Sequence, residues 1–185
     1  MTDDERLIKL LAERSARRGQ FTLASGKQSS FYIDARLTTM SPEGLVLIGQ
    51  LALKRLRQSR WAVDAVGGLT LGADPISYAI SYASADSAKP LRAFTVRKEA
   101  KAHGTGRKIE GPFKESDRVV VIEDVITTGA SALRAIEAIR AEAGTVSGVL
   151  DLVDREEGGR ETIEAAGFPV ITITTASQII SALAS

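Results

Sequence analysis

The sequence predicts an α/β fold in which a parallel β-sheet is flanked by helices. Short apolar segments rich in Val and Ile alternate with longer amphipathic segments along most of the chain. Such alternation is typical of βα units, in which helices cover both faces of the sheet. The chain has 185 residues, the length of one domain with a substantial core. We therefore predict a single domain over residues 1–185.

A helix and a pair of short strands are predicted at the N-terminus. Leucines recur on one face of residues 3–18 while charged residues occupy the other positions, which is the pattern of an amphipathic helix. The apolar segments Phe21–Leu23 and Phe31–Asp34 flank a turn that contains Gly26. This arrangement predicts two short strands.

Helix-start signals and glycines delimit the next two elements. Ser41 stands directly before Pro42, an N-cap residue followed by proline in the first turn. This pair predicts a helix that runs to about Gln58. A buried strand is predicted over Ala62–Val66, ending at Gly67.

The centre of the chain combines regular elements with one long irregular segment. Asp74 and Pro75 predict the start of a helix that extends to about Ser84, and Leu91–Arg97 is predicted to be a strand. Hydrophobic periodicity then disappears over residues 98–114, where Lys, Glu, Gly and His dominate. Loops of this length in a domain are usually functional or disordered, so we predict a mobile loop there.

The C-terminal part alternates regularly between strands and helices. The predicted elements are the strand Val119–Asp124, the helix Ala130–Ala143, the strand Thr145–Asp154, the helix Glu161–Ala166, the strand Val170–Thr174 and a last helix.

Composition excludes several classes of protein and site. The chain has 44% hydrophobic and 25% charged residues, a net charge of +1 and no cysteine. It therefore has no disulfide framework, thiolate nucleophile or cysteine metal site, and its charge favours neither nucleic acid nor membrane as a partner. Apolar runs are too short to span a membrane, and the N-terminus lacks the apolar centre of a signal peptide. We expect a cytoplasmic location.

Residues 119–131 form the most informative segment, because a buried strand leads into two carboxylates and a turn. Glu123 and Asp124 end the strand, and Thr127-Thr128-Gly129 precedes a helix. Ligands of parallel sheets bind beyond the carboxyl ends of the strands. Carboxylates can accept hydrogen bonds from sugar hydroxyls, and amides at a helix N-terminus can hold a phosphate. The segment indicates a sugar phosphate site, although a simple N-capped turn would have the same pattern.

A second segment concentrates cations at the start of the predicted loop. Arg97, Lys98, Lys101 and His103 lie within seven residues. Most charge runs are solvated surface. On a mobile loop, however, these donors could close over a polyanion and balance charge on a leaving group.

These two segments resemble motifs of one group of proteins, the first a motif of the whole group and the second a motif of one family within it. Residues 119–131 resemble the phosphate-binding loop of type I phosphoribosyltransferases, which use phosphoribosyl pyrophosphate (PRPP). Residues 96–104 resemble the catalytic loop of the orotate phosphoribosyltransferase family, and residues 21–34, 67–76 and 109–111 agree with it. The resemblance implies the type I fold: a central, mostly parallel sheet flanked by helices, a small N-terminal hood within residues 1–40 and a flexible catalytic loop at residues 98–114.

The resemblance also implies an activity and a set of site residues. Members of the family transfer the phosphoribosyl group from PRPP to orotate with Mg²⁺, which they hold mainly through substrate oxygens and water, so no protein metal ligand is expected. A homodimer with loop residues shared between subunits is implied. Lys101, His103 and Asp124 would be catalytic, and Thr127 and Arg155 would bind orotate. The PRPP contacts implied are Arg97, Lys98, Lys101, His103, Glu123, Asp124, Val125, Ile126, Thr127, Thr128, Gly129, Ala130 and Ser131.

Several alternatives stay open at this level. Arg155 could instead form a rim salt bridge with Asp154, Glu156 or Glu157, and either Phe31 or Tyr32 could be a core residue and not part of a pyrimidine pocket. Two segments depart from the enterobacterial members, Ala24 and Leu69-Thr70-Leu71, where those members carry cations; the role of Lys27 is therefore left open. The rival functions are transfer to another base and PRPP sensing by a noncatalytic regulator.

Overall fold

The computed structural model describes residues 1–22, 28–99 and 108–183, which form a six-stranded sheet flanked by helices and a separate two-stranded sheet. The helices in these ranges are α1 (Asp3–Ser15), α2 (Arg36–Thr39), α3 (Pro42–Ser59), α4 (Ala73–Ala83), α5 (Ala130–Ala141), α6 (Gly159–Ala165) and α7 (Ala176–Ala182). The strands are β1 (Ala16–Thr22), β2 (Gln28–Ile33), β3 (Ala65–Leu69), β4 (Arg92–Val96), β5 (Ile109–Glu110), β6 (Arg118–Ile126), β7 (Thr145–Asp154) and β8 (Val170–Thr175). Among the described helices, we find no candidate for a membrane span.

The large sheet is mostly parallel, as predicted. Its strand order is β5-β4-β3-β6-β7-β8, and every neighbouring pair is parallel except β4 with β5. In chain order, β4 and β5 follow β3 on one side, and β6 then pairs with the other side of β3. The strand order therefore reverses between β3 and β6, where parallel sheets open a crevice for ligands.

Two apolar cores cover the two faces of this sheet. Alternate residues of β6 point to opposite sides, as strand geometry requires. Val120 and Ile122 belong to the core formed with α1, α3, α4 and α7, whereas Val119 and Val121 belong to the core formed with α5 and α6. All four side chains are fully buried. The strand that leads to the acidic pair is therefore held rigidly from both sides.

The N-terminal hood differs from its predicted boundaries. The first helix ends at Ser15 and not at Arg18, because Ala16 already pairs with Ile33 in the antiparallel β1–β2 sheet. Arg17 and Arg18 are good helix formers, so the local pattern alone extended the helix. Strand pairing with a distant segment overrides that preference.

Strand β3 continues through the two glycines at which it was predicted to end. A Cβ atom on Gly67 would lie 2.3 Å from the carbonyl oxygen of Phe94, and one on Gly68 would lie 2.1 Å from that of Ile122. The glycines therefore allow close approach between neighbouring backbones within the sheet and are not turn signals here.

The predicted loop at residues 98–114 contains a short strand at its C-terminal side. Ile109 pairs with Val96 in the antiparallel β4–β5 ladder, and its side chain is buried. Residues 100–107 lie outside the described residues. The prediction of a loop without regular structure over the whole segment was wrong at β5, because two residues are too few to carry a strand pattern.

Candidate active site

A cleft of about 680 Å³ opens at the reversal of strand order. The ends of β3, β6 and β7 form its floor, and the end of the hood forms one wall. The cleft is lined by Tyr32, Ile33, Asp34, Ala35, Arg36, Leu69, Thr70, Leu71, Gly72, Lys98, Glu123, Asp124, Val125, Thr127, Thr128, Ser131, Arg134 and Arg155. Both acids of the pair identified from the sequence, Glu123 and Asp124, line this cleft.

Glu123 contributes a carboxyl group whose proton affinity is set by burial. Its side chain is buried, and removal from water, with a smaller effect of the Asp124 charge, raises its pKa to about 8. The positive charge of Arg134 and the amide of Ala132 oppose this shift. Asp151 lies opposite Glu123 in the β6–β7 ladder, and burial raises its pKa as well, with the charges of Asp154 and Glu123 acting in the same direction. A cluster of carboxyl groups at this depth favours proton retention at neutral pH.

Asp124 is half-buried and fixed in place by its own strand end. Its Oδ1 accepts a hydrogen bond from the amide of Val125 at 3.0 Å. Burial raises the pKa of Asp124, and the nearby charge of Arg36 acts in the opposite direction. Gly72 lies directly against this carboxylate, since a Cβ there would be 2.3 Å from Oδ1. The Thr70–Leu71 peptide just before Gly72 is cis.

The turn between β6 and α5 forms a cup of hydroxyl and amide groups. Thr127, Thr128 and Ser131 line the cleft. Gly129 has φ of 80°, a left-handed conformation that favours glycine, and α5 begins immediately after it. The first amides of α5 and the positive end of its dipole therefore face the position where an anion would bind.

Three residues predicted to contact phosphate do not line this cleft. The side chain of Ile126 is fully buried in the α5–α6 core. Its carbonyl oxygen accepts from the amide of Arg155 at 3.0 Å, and its amide donates to Asp151. Strand β6 runs two residues further than predicted, so Val125 and Ile126 belong to the sheet, and only Val125 of the two reaches the cleft. Gly129 and Ala130 shape the turn, and any contact with phosphate would have to come from their backbone.

Arg155 reaches the cleft from the end of β7. Its guanidinium lies over the ring of Phe31, with 4.8 Å from Cζ to the ring centroid. The Nε atom donates to Glu157 at 2.8 Å, so one of the salt bridges considered from the sequence exists, but the Arg155 side chain is only 5% exposed and does not lie on a rim. Phe31 packs against the core while Tyr32 lines the cleft, which confirms that one of the two aromatic residues is a core residue.

The cations predicted to contact pyrophosphate are only partly described. Lys98 lines the cleft. Arg97 lies outside its lining and forms an ion pair with Glu110 at 3.3 Å. Lys101, His103, Ala24 and Lys27 fall outside the described residues, so their roles stay predictions.

Sequence analysis missed two arginines that line the cleft. Arg36 pairs with Asp34 through two hydrogen bonds of 2.8 and 3.0 Å at the end of the hood. Arg134 donates to Ser131 at 3.5 Å and faces Glu123. The spacing of three residues between Ser131 and Arg134 on a helix could have indicated the second group. The position of Arg36 in the cleft depends on how the hood packs, and the sequence has no local signal for that packing.

Comparisons with known proteins agree on one family. No protein-family model matches the chain. The orotate phosphoribosyltransferase of Aquifex aeolicus is 45% identical over 183 residues, covering 97% of this chain and 99% of that protein. The crystal structure of Mycobacterium tuberculosis orotate phosphoribosyltransferase aligns with a TM-score of 0.84 and 41% identity, over 96% of this chain and 99% of that chain. A structure of the M. tuberculosis enzyme in complex with PRPP aligns with a TM-score of 0.80 and 38% identity, over 96% and 99% of the two chains.

Proposed function

Because this chain belongs to the orotate phosphoribosyltransferase family, we propose that its cleft binds PRPP along the end of β6 and orotate beside Arg155. The enzyme transfers the phosphoribosyl group from PRPP to orotate, giving orotidine 5′-monophosphate and pyrophosphate in pyrimidine biosynthesis. The observation that carries the assignment of sites is the pairing of two carboxyl groups with a helix N-terminus at the reversal of strand order.

The ribose and its 5′-phosphate bind to the β6–α5 segment in this proposal. Glu123 and Asp124 accept hydrogen bonds from the ribose hydroxyls through their carboxyl oxygens, and each accepts most strongly when it is ionised. The hydroxyl groups of Thr127, Thr128 and Ser131 donate to the phosphate together with the first amides of α5. The difference in exposure supports this division, since Glu123 is buried and Asp124 half-buried, whereas Thr128 in the cup is exposed and would leave a phosphate in contact with water.

Orotate binds between Thr127 and Arg155. A guanidinium group can hold a carboxylate by two parallel hydrogen bonds, and orotate carries one carboxylate. Tyr32 offers an aromatic face in the same cleft. Arg155 therefore distinguishes orotate from uracil, which lacks the carboxylate, and this favours orotate over the rival base.

The loop cations act on the leaving group. Arg97, Lys98, Lys101 and His103 contact the pyrophosphate of PRPP, and some of them reach the site of the neighbouring subunit. Removal of the Lys101 ammonium should lower kcat severely, because it balances charge that grows only as pyrophosphate departs.

The reaction needs one bond to form and one to break at the anomeric carbon. The ring nitrogen of orotate bonds to C1 of the ribose and releases its N–H proton to water, and the C1–O bond breaks with its electron pair leaving on pyrophosphate. Positive charge develops on the ribose ring meanwhile, next to the carboxylate of Asp124. Closure of the loop would exclude water, which could otherwise capture C1.

We expect Mg²⁺ to act with this enzyme as a metal carried mainly by substrate oxygens and water. Within the described ranges, no group of three His, Asp or Glu side chains is arranged to hold a metal ion. Mg²⁺ commonly keeps waters and substrate oxygens as ligands, so a complete protein ligand set is not needed. When bound, the ion would supply charge neutralisation for pyrophosphate.

We further propose a homodimer formed through an apolar patch on α3 and α4. Val46, Tyr78 and Tyr82 are 59%, 53% and 85% exposed, and they border a groove of about 460 Å³. Large exposed apolar patches mark interaction surfaces. A second copy of the chain is the partner that the family resemblance implies. The cytoplasmic location expected from the sequence stays a prediction.

The direct test mixes the protein with orotate, PRPP and Mg²⁺ and follows the ultraviolet absorbance of orotate. We expect a decrease that depends on both substrates, while uracil in place of orotate should give no product. Well-folded protein that consumes no orotate, or that prefers uracil, would contradict the assignment. Asp124→Asn should raise KM for PRPP, and unchanged PRPP kinetics would argue against its contact with ribose.

A further inference from the structure

Arg155 is held from three sides before any substrate binds. Glu157 accepts from Nε at 2.8 Å, Phe31 supports the face of the guanidinium at 4.8 Å, and Ser29 lies 3.5 Å from Nη2. Within the described ranges, Nη1 has no hydrogen-bond partner, because the contacts of the guanidinium engage only Nε and Nη2. Among the described residues, the end that carries Nη1 and Nη2 makes only the long contact of 3.5 Å with Ser29, so it is the end open to a ligand.

The turn that carries both Arg155 and Glu157 is anchored at each step. The amide of Arg155 donates to Ile126 at 3.0 Å, and the amide of Glu156 donates to the side chain of Asp154 at 2.8 Å. The carboxylate of Glu156 accepts from the amide of Ser177 at 2.9 Å and so ties the turn to the start of α7. Glu157 is therefore presented to Arg155 from a backbone that has little freedom to move.

We propose that Glu157 is a positioning residue for orotate recognition, which holds the Arg155 guanidinium so that its Nη1–Nη2 end faces the carboxylate of orotate. This inference rests on the proposed function and adds a residue outside the substrate contacts. Arginine has many rotamers, and fixing one of them before binding lowers the entropy that binding must overcome. Phe31 supports the same orientation from the guanidinium face.

Charge alone would suggest the opposite role for Glu157. A carboxylate beside Arg155 could compete with orotate for the guanidinium, and its removal would then strengthen binding. The contact geometry argues against competition, because Glu157 occupies Nε and leaves both terminal nitrogens. Orotate can dock end-on without displacing Glu157.

Steady-state kinetics of Glu157→Ala and Glu157→Gln separate these roles. We expect KM for orotate to rise roughly tenfold in the alanine variant, the effect of freeing one rotamer-rich side chain. The glutamine variant should lie between alanine and wild type, because its amide oxygen can still accept from Nε. KM for PRPP and kcat at saturating orotate should stay within about twofold of wild type.

The matched control is Glu164→Gln, which neutralises the acidic partner of another Arg–Glu pair, Arg160 with Glu164 at 3.0 Å on α6, neither of which lines the cleft. This variant should keep wild-type KM for both substrates. An unchanged or lower KM for orotate in both Glu157 variants, with melting temperatures equal to wild type, would overturn the proposal. A wild-type protein without orotate turnover would instead reject the proposed function itself.

Discussion

At the scale of single residues, Glu123 is the group whose chemistry depends most on its surroundings. Burial raises its pKa to about 8, so its carboxyl group holds a proton at neutral pH in the free protein. Asp124 beside it is only half-buried. The two adjacent acids are therefore not equivalent, although their positions in the sequence suggest equal roles.

A pH dependence follows for PRPP. Glu123 is protonated below its pKa and becomes a charged, stronger hydrogen-bond acceptor above it. We expect kcat/KM for PRPP to increase between pH 7 and pH 8 and to level off near pH 9, since this parameter reports the free enzyme. Glu123→Gln should be lower by roughly tenfold at pH 9 and should lose the increase, because a charge-assisted bond is worth about 1.5–3 kcal/mol. The orotate absorbance assay measures both, and a glutamine variant with the wild-type slope would assign the titration to another group.

The ionisation of Glu123 should also affect stability. Its contribution to the free energy of unfolding should fall as pH rises, whereas kcat/KM for PRPP should increase. The unfolded Glu123 ionises near its ordinary pKa of 4.5, whereas the folded residue keeps its proton up to about pH 8. Between these values the folded protein binds more protons, so the contribution of Glu123 to stability falls as pH rises. We expect the Tm of Glu123→Gln, relative to wild type, to be higher at pH 8 than at pH 5, in the absence of PRPP. An equal Tm difference at both pH values would contradict the buried, protonated state.

Arg155 shows how residue-scale predictions from the sequence were incomplete. The sequence offered either a substrate contact or a salt bridge, whereas in the structure Arg155 pairs with Glu157 and also lines the cleft. The pair with Glu157 uses Nε, whereas the proposed contact with orotate would use the Nη1–Nη2 end of the guanidinium. Sequence patterns name possible partners, but they do not say which nitrogen each partner occupies.

At the scale of elements, the junctions after β3 and β6 shape the cleft together. Gly72 precedes α4 and lies against the carboxylate of Asp124 at the end of β6. Two strand-to-helix turns therefore pack into one small volume, which has no room for a larger residue at Gly72 or at Asp124. Asp74 in the first turn of α4 accepts from Thr70 at 2.7 Å and from Thr95 at 2.8 Å, which ties this junction to β4.

Gly72→Ala tests this contact. Its Cβ would collide with Asp124, so we expect destabilisation of about 1–3 kcal/mol from overpacking and a higher KM for PRPP. The control is the same change in an Asp124→Ala background, where the collision is absent. There Gly72→Ala should have little further effect on the free energy of unfolding in urea. Equal destabilisation in both backgrounds would show that the contact with Asp124 is not the cause.

At the scale of the whole molecule, the exposed patch on α3 and α4 is an apolar surface that no other described part of the chain covers. Tyr78 connects it to the sheet, since its hydroxyl lies 2.9 Å from the hydroxyl of Thr95. Thr95 in turn donates to Asp74. A partner bound to this patch would therefore contact a helix whose first turn is tied to the β3 junction of the cleft.

Val46→Lys should disrupt the proposed dimer. A charge in the centre of an apolar interface is costly to desolvate, so we expect a dissociation constant raised at least a hundredfold and a monomer in sedimentation velocity at micromolar concentration. Ala165→Lys is the control, because it adds the same charge to an exposed position of α6 on the other side of the sheet. Equal sedimentation coefficients for the two variants would show that this patch is not the dimer interface.

The sequence by itself determined most strands of the large sheet, most helix starts and the acidic strand end of β6. These features depend on residues close in the chain: alternating apolar positions, a Ser41 cap and a strand followed by carboxylates. β7 was predicted with its observed bounds, since it is a ten-residue run between clear turns. Such signals are local, so they survive without knowledge of the fold.

Only the tertiary structure decided which groups meet in the cleft. The contact of Arg155 with Ser29 joins residues 126 positions apart, and the placement of the Asp34–Arg36 pair in the cleft depends on hood packing. Strand β1 replaced the end of the predicted first helix for the same reason, because pairing with β2 outweighed local preference. Contacts of this kind follow from strand order and packing, which a linear pattern of residues does not encode.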